Sequence, residues 1–242
     1  MELPTAVSGD IRWQRFFALN GLVFIVLCLI GLEVFWPQPP SFALSAEDTA
    51  RFYADHQSGF LIGITLCELA MAFYVTWTIQ IGTMLWRLDR GAHVKTVAAT
   101  ACGLATPFIL AADLAVFAVA AYRPTRIDPA ITQSLSDIAW IGSELFWPIL
   151  AAEMALIAVI MIQGRGRPGS FPPWLGWYTA LAALAEPFQA AIIFTKDGPL
   201  APDGLLTWYL AVGSWGLWAA ATSLTMYRMV GHPKGHGDVG HG

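Results

Sequence analysis

The sequence predicts an all-α membrane protein, a polytopic transmembrane bundle of six helices, and three observations support this. Of the 242 residues, 56% are hydrophobic and 12% are charged, whereas soluble domains carry about 25% charged residues. Six apolar stretches follow one another, each close to or longer than the roughly 20 residues that span the hydrocarbon core. Charged or Pro- and Gly-rich breaks separate them, among them the run 37–40. We therefore expect one domain over 1–230 and a flexible His/Gly-rich tail over 231–242.

The six spans are predicted at residues 16–36, 58–86, 96–121, 138–163, 173–195 and 205–229. Arg12 and Arg15 precede the first span, as basic residues precede the apolar core of a signal peptide. That core is about 7–15 residues long, and the first span is longer. We therefore expect this helix to be retained as a membrane anchor. The second span is long enough to tilt or to extend past the bilayer.

The distribution of Lys and Arg predicts that both termini lie in the cytoplasm, because positive residues concentrate on the cytoplasmic side. One side carries Arg12, Arg15, Arg87, Arg90, Lys95, Arg165, Arg167, Arg228 and Lys234, and the other carries Arg51, Arg123, Arg126 and Lys196. An interfacial aromatic belt is formed by Trp13, Trp36, Trp86, Trp140, Trp174, Trp177 and Trp208, near the predicted helix ends. In the loop 37–57, Ser45 is predicted to cap a short amphipathic helix over the outer mouth of the bundle.

Acidic residues inside the spans are the strongest indication of a functional site. They are Glu68, Asp113, Glu144, Glu153 and Glu186. A carboxyl group at a helix centre costs about 2.5–3.5 kcal/mol on insertion scales, so we expect these groups to face the bundle interior. With a rise of about 1.5 Å per residue, all except Glu153 fall in one layer of the outer half of the bilayer. Glu153 is deeper, on the face of its helix opposite Glu144.

Apart from Arg228 at the cytoplasmic end of the last span, no Lys or Arg lies inside a span, so the acids either hold a proton or share a cation. A neutral carboxylic acid can donate a proton, and a ring of carboxylates can hold a cation. We predict a catalytic role for Glu68, Asp113, Glu144 and Glu186, and a substrate-binding role for Trp140, Trp147, Trp215, Gln189 and His56. The alternative is that each acid bonds a neighbouring helix and only fastens the bundle, that the tryptophans are packing residues, and that His56 is a plain interfacial histidine.

Other motifs are interpreted structurally. The run Gly164–Gly169 matches G-x-G-x-x-G but joins two spans, without the strand that a dinucleotide site requires. The tail histidines have Gly-rich spacing, which favours disorder over a metal site, so we expect no metal and no cofactor. A net charge of −4 without a basic stripe argues against a nucleic-acid partner. The three cysteines fall in apolar stretches and are interpreted as buried. Gly59 and Gly63 form a G-x-x-x-G that predicts close helix packing.

Several stretches resemble a group of multi-pass membrane proteins, without an assigned activity, from actinobacteria and related bacteria. The similar stretches are Phe52–Gly59, Ala121–Pro124, Asp128–Trp140, Pro173–Gly176 and Lys196–Pro199. The resemblance covers most of the chain and implies a membrane location, which for such a protein is the bacterial cytoplasmic (inner) membrane. Most of these stretches fall on the predicted outer side, which is consistent with a working face there.

Three functions remain open at this point. The first is an acid–base enzyme of the isomerase or cyclase type, acting on a lipophilic isoprenoid- or steroid-like substrate, with the acids as proton donors and acceptors. The second is a proton- or cation-coupled small transporter. The third is an accessory subunit or assembly factor of a larger membrane complex. The expected partners are the lipid bilayer, a lipophilic small molecule or a cation, and a second copy or a larger complex. The first is preferred, because it alone uses the acids and the tryptophans together.

Overall fold

The computed structural model describes residues 5–36, 42–201 and 204–230, with side chains from residue 10 onward. Within these ranges the chain is all-α and contains no strand. The Pro-rich run 37–40 and the tail 231–242, which the sequence predicts to be a break and a flexible end, lie outside the described residues. The predicted fold class is therefore confirmed at the level of an all-helical chain.

The described residues form eight α-helices in chain order. They are α1 Thr5–Leu29, α2 Ala46–Asp55, α3 Gln57–Trp86, α4 Val94–Tyr122, α5 Pro129–Leu145, α6 Trp147–Gln163, α7 Pro173–Ala185 and α8 Gly213–Met229. Three stretches of non-α helix adjoin them. The first π segment, Ile30–Phe35, continues α1; the 3-10 segment, Glu186–Ile193, continues α7; and the second π segment, Leu205–Val212, leads into α8.

Among the described residues, four helical stretches are long and apolar enough to cross a membrane. They are Asp10–Phe35, Gln57–Trp86, Val94–Tyr122 and Pro129–Gln163. The regions of the fifth and sixth predicted spans are interrupted, so that α7 has 13 residues and α8 has 17. Pro187 explains the first interruption, because proline has no N–H to donate and its ring clashes with the preceding turn.

The short helix α2 begins where the sequence predicts. The Ser45 hydroxyl accepts a hydrogen bond from the Asp48 backbone N–H at 3.1 Å, which confirms the predicted N-cap. The helix packs on α5, where the Tyr53 hydroxyl donates to the Ser136 hydroxyl at 2.9 Å. The Gln133 side chain also donates to the Leu44 carbonyl at 3.0 Å. These bonds hold α2 across the end of the bundle at which α3 begins.

Glycines allow α1 and α3 to approach closely. A Cβ atom on Gly63 would lie 2.6 Å from the carbonyl oxygen of Gly31, and one on Gly59 would lie 2.7 Å from that of Phe35. Because both neighbours are backbone atoms, neither can move without displacing the first π segment. The close packing predicted from the Gly59 and Gly63 spacing is confirmed.

We expect Gly63→Leu to destabilise the protein by about 1–3 kcal/mol or more, the usual cost of overpacking. The added side chain would push the first π segment away from α3. Thermal unfolding of the purified protein, followed by tryptophan fluorescence, measures the effect. Gly213→Ala is the matched control, because a Cβ atom there meets nothing within 4 Å. Equal unfolding temperatures for Gly63→Leu and the wild type would contradict the close packing.

An ion pair and hydrogen bonds stabilise the turn between α3 and α4. Asp89 lies 2.8 Å from the Lys95 ammonium and accepts hydrogen bonds from the Thr96 N–H and hydroxyl at 3.2 and 3.1 Å. Burial alone would raise the pKa of Asp89, but the bonds from Lys95 and Thr96 outweigh it and lower the pKa. Arg167 adds a hydrogen bond to the Leu88 carbonyl at 2.7 Å, which joins this turn to the loop after α6.

We expect Asp89→Asn to lower the free energy of unfolding at pH 7 by about 1.5–3 kcal/mol, the range for hydrogen bonds to charged groups. Since the folded-state pKa is lowered, the contribution of Asp89 is present above its unfolded pKa, about 3.9. It is lost as the pH falls through the folded value. The difference in unfolding temperature between the wild type and Asp89→Asn should therefore shrink as the pH is lowered from 7 to 3. The exposed Asp55→Asn is the control, and a pH-independent difference for Asp89→Asn would argue against the ion pair.

Candidate functional site

A cavity of about 610 Å³ lies between α1, α3, α4, α5 and the chain from the second π segment into α8. This volume is within the roughly 300–1,000 Å³ of small-molecule sites. Its lining is predominantly apolar. The side chains with carboxyl, amide or hydroxyl groups along it include Glu33, Asp113, Ser143, Glu144 and Gln189.

Departures from regular α-helix surround the cavity. Glu33 lies in the first π segment, Gln189 in the 3-10 segment and Trp208 in the second π segment. Glu144 lies at the end of α5, next to the joint at Phe146 that separates α5 from α6. Pro148 explains the joint, because it cannot donate to the Glu144 carbonyl four residues earlier. Such irregular turns often occur at functional sites.

Glu144 is the most buried carboxyl group on the cavity wall, with 2% of its surface exposed. Its Oε2 atom has no hydrogen-bond partner among the described residues, and neither does Nε1 of the neighbouring Trp140. Both residues line the cavity, where an unpaired donor and an unpaired acceptor favour a polar ligand atom.

Asp113 reaches the same cavity from α4. One carboxyl oxygen, Oδ1, lies where a Cβ atom on Gly142 would stand, so glycine at 142 makes room for this side chain beside α5. The other oxygen, Oδ2, has no hydrogen-bond partner among the described residues. Two carboxyl groups from different helices, Asp113 and Glu144, therefore line one space, as the sequence predicts for this pair.

Glu186 lies behind the cavity wall. It is fully buried and accepts a hydrogen bond from the Gln189 side chain at 2.9 Å, and Gln189 itself lines the cavity. Glu186 is also close enough to Glu144 and Glu153 to interact with both electrostatically. Glu153 is fully buried and accepts a hydrogen bond from the Tyr74 hydroxyl at 3.0 Å. Glu144, Glu186 and Glu153 therefore form a cluster of buried carboxyl groups, of which Glu144 lines the cavity.

The placement of Glu153 corrects a prediction. A continuous helix would put Glu153 on the face opposite Glu144, but the joint at Phe146 changes the register between α5 and α6. Glu144 and Glu153 are consequently both buried, and both interact electrostatically with Glu186. Sequence reasoning did not include Glu153 or Tyr74 in the site, although Pro148 was a signal that the helix is interrupted.

Glu68 is half-buried on α3 and does not line the cavity, so the structure does not bring it together with Asp113 and Glu144. Cys67 and Met71 line it instead. Successive residues of an α-helix differ by about 100° in direction, so Glu68 is turned away from the face that Cys67 presents. The predicted layer of four acids is reduced to Asp113 and Glu144 on the wall, with Glu186 behind it.

Trp147 and His56 also lie away from the cavity. Trp147 is half-buried at the start of α6, after the joint at Phe146, so its spacing from Glu144 no longer gives a shared face. His56 is exposed between α2 and α3, where its Nδ1 atom lies 2.9 Å from the Phe52 carbonyl oxygen. Trp140, Trp215 and Gln189 do line the cavity, and their substrate-binding role stays a prediction.

Two aromatic clusters bound the cavity. The Trp140 cluster consists of Trp36, Phe117, Trp140 and Trp208, and the Trp215 cluster consists of Phe24, Tyr74 and Trp215. In the first, the ring centroids of Phe117 and Trp140 are 5.0 Å apart; in the second, those of Phe24 and Trp215 are 5.4 Å apart. Trp36 and Trp208 were interpreted from sequence as belt residues, because position near a helix end does not reveal a cavity.

The cavity opens through an apolar surface. Leu29 of α1 and Leu217 of α8 both line it, and they are 53% and 67% exposed. Farther along the same two chain segments, the exposed residues Glu33 and Tyr209 also line it. The opening therefore lies between α1, which belongs to a helical stretch long and apolar enough to cross a membrane, and the chain of the second π segment and α8.

No family model matches the chain, and no curated protein or solved structure is significantly similar to it. Within the part of the chain that the structure describes, no group of three or more His, Cys, Asp and Glu residues is placed to hold a metal ion. The chemistry available in the cavity is that of the three carboxyl groups of Glu33, Asp113 and Glu144, the Gln189 amide, hydroxyl groups and two sets of aromatic rings. Such groups can transfer protons and stabilise positive charge.

Proposed function

We propose that the protein is an integral membrane acid–base enzyme of the isomerase or cyclase type, acting on a lipophilic isoprenoid- or steroid-like substrate. The observation that supports this best is Glu144, a buried carboxyl group with an unpaired oxygen on the wall of a large apolar cavity. A substrate of this kind is dissolved in the bilayer. It would enter between α1 and α8 without crossing water.

The proposed chemistry is the movement of a double bond. Glu144, in its neutral form, gives its proton to one alkene carbon, whose π electrons form the new C–H bond and leave a positive charge on the adjacent carbon. Asp113 then removes a proton from the next carbon, and the electrons of that C–H bond form the new double bond. A proton passes from Asp113 to solvent and another returns to Glu144, so that atoms and charge balance over the cycle.

The aromatic clusters would stabilise the positive charge. Trp140 and Trp215 line the cavity from its two bounding clusters, and the faces of indole rings attract cations most strongly among aromatic side chains. Glu186 and Gln189 would position the wall next to Glu144, since their mutual hydrogen bond fixes the Gln189 side chain. The cavity would also exclude water from the intermediate, because its lining is predominantly apolar.

The proposal includes six transmembrane segments with both termini in the cytoplasm of a bacterium. The last two would be α7 with the 3-10 segment and the second π segment with α8. The Arg15 side chain donates a hydrogen bond to the Val230 carbonyl at 3.1 Å, so the start of α1 and the end of α8 lie together. This contact supports an even number of crossings.

Deuterium incorporation tests the proposed function. The purified protein is reconstituted in lipid vesicles, incubated in D₂O with a lipid extract, and the lipids are analysed by mass spectrometry. We expect an isomer or cyclised product that carries deuterium at carbon, absent from vesicles with heat-inactivated protein. Unchanged lipids, or a product without carbon-bound deuterium, would contradict acid–base catalysis.

A proton- or cation-coupled transporter is the second candidate. The cluster of Glu144, Glu186 and Glu153, in which Glu153 accepts a hydrogen bond from the Tyr74 hydroxyl, favours it because neighbouring carboxyl groups can pass protons through a membrane protein. An imposed pH gradient across proteoliposomes would drive solute uptake by a transporter. The product yield of the proposed enzyme, in contrast, would not depend on the direction of the pH gradient.

A further inference from the structure

We propose that the cavity binds a lipophilic ammonium ion, with its cationic head beside Glu144 and its hydrocarbon chain toward the opening between Leu29 and Leu217. The inference goes beyond the proposed function, because binding a cation requires no turnover. It rests on the proposed function only in assigning the ligand to the same cavity, where a substrate would carry its positive charge during the reaction.

The charge of the lining supports a cationic ligand. Glu33, Asp113 and Glu144 line the cavity, and no Lys, Arg or His is found among its described lining residues. Within the described part of the chain, the ion pairs are Asp48 with Arg51 and Asp89 with Lys95. The acids of the cavity have no ion-pair partner there. A buried carboxylate is costly unless a positive charge accompanies it.

The unpaired atom on Glu144 supplies the point of attachment. Glu144 lines the cavity with 2% of its surface exposed, and its Oε2 atom has no hydrogen-bond partner in the part of the chain that the structure describes. Trp140 lies one helical turn earlier and also lines the cavity. Its ring belongs to the Trp140 cluster, with Phe117 at 5.0 Å and Trp208 at 6.0 Å. Aromatic rings attract alkylated ammonium groups through their faces, and here they line the same cavity as the Glu144 carboxyl group.

The residues that line the cavity favour an organic cation over a metal ion as the ligand. Ca²⁺ takes six to eight oxygen ligands and Mg²⁺ requires an octahedral set. The described residues contain no cluster of His, Cys, Asp and Glu placed to hold a metal ion. The cavity of about 610 Å³ is predominantly apolar and opens beside exposed leucines. An ammonium ion with an alkyl chain fits both the charge and the apolar surface.

Equilibrium binding of radiolabelled decyltrimethylammonium to the protein in lipid nanodiscs tests the inference, with empty nanodiscs subtracted. We expect saturable binding to one site, weakened at least tenfold by Glu144→Gln. Glu68→Gln makes the same chemical change outside the cavity and should leave the affinity within twofold of the wild type. Decanol, which has the same chain without the charge, should not compete at equal concentration.

Gly213→Leu provides a second variant that leaves every acid in place. Gly213 lines the cavity and has open space beyond its Cα atom, so leucine there should abolish binding in a protein that still unfolds cooperatively. Equal affinities for the wild type and Glu144→Gln, or equal competition by decanol, would overturn the inference. Saturable ammonium binding without deuterated product would refute the proposed enzyme and leave this inference standing. Deuterated product without ammonium binding would overturn this inference and leave the proposed enzyme standing.

Discussion

Replacing Glu144 by glutamine is expected to lower turnover of the lipophilic substrate by about 10²–10⁴-fold, the usual contribution of a general acid or base. Glutamine has nearly the same size and can form hydrogen bonds, but it cannot give up a proton to carbon. Because Glu144 has an unpaired oxygen on the cavity wall, we expect the loss in kcat rather than in folding. Product formation per mole of reconstituted protein measures it.

Glu68→Gln is the matched control for this experiment. Both substitutions remove one intramembrane carboxyl group, but Glu68 is half-buried and outside the cavity lining. We expect its activity to remain within twofold of the wild type. Wild-type activity in Glu144→Gln, or equal losses in both variants, would show that the cavity position of Glu144 is not what matters.

Filling the cavity from α8 is the second change for which we expect a large effect. Gly213 shares its helix face with Tyr209, Gly216 and Ala220, all of which line the cavity. A Cβ atom on Gly213 meets nothing within 4 Å, so leucine at 213 would extend into the space that the substrate occupies. We expect product formation to fall at least tenfold. Leucine at 213 would keep the substrate from most of the apolar surface that it contacts, and this lost burial weakens its binding.

The stability of Gly213→Leu separates blocking from unfolding. Leucine favours a helix over glycine by about 0.8–1 kcal/mol, so the unfolding temperature should be unchanged or higher. Gly213→Ala adds a single methyl group and should retain most of the activity. Full activity in Gly213→Leu would place the substrate site elsewhere.

Local rules were sufficient for the features that depend on neighbouring residues. The N-cap at Ser45 follows from the type of side chain and its position before α2. The close approach of α1 and α3 follows from the spacing of Gly59 and Gly63. The four long apolar helices follow from composition and length alone.

The site was less predictable, because side-chain direction depends on every residue before it in a helix. The sequence predicts an uninterrupted helix through residues 138–163. The joint at Phe146 instead brings Glu153 to the interior and turns Trp147 away from the cavity. Glu68 was assigned by depth, and depth does not specify a face; the face that lines the cavity holds Cys67 and Met71.

The π segments had no signal in the sequence that a local rule could use. Ile30–Phe35 and Leu205–Val212 contain no proline, and their geometry depends on packing against neighbouring helices. Pro148 and Pro187, in contrast, mark the two other interruptions. The aromatic clusters depend on the same tertiary packing, which is why Trp36 and Trp208 were interpreted from sequence as residues of the membrane interface.

An experimental density map of the protein, extracted from its native membrane into lipid nanodiscs, tests the central claim most directly. We expect elongated density inside the cavity, between Trp140 and Trp215, with one end within hydrogen-bond distance of the Glu144 carboxyl group. A collapsed cavity, or a Glu144 side chain bonded to neighbouring helices with no space beside it, would contradict a lipophilic-ligand site in this bundle.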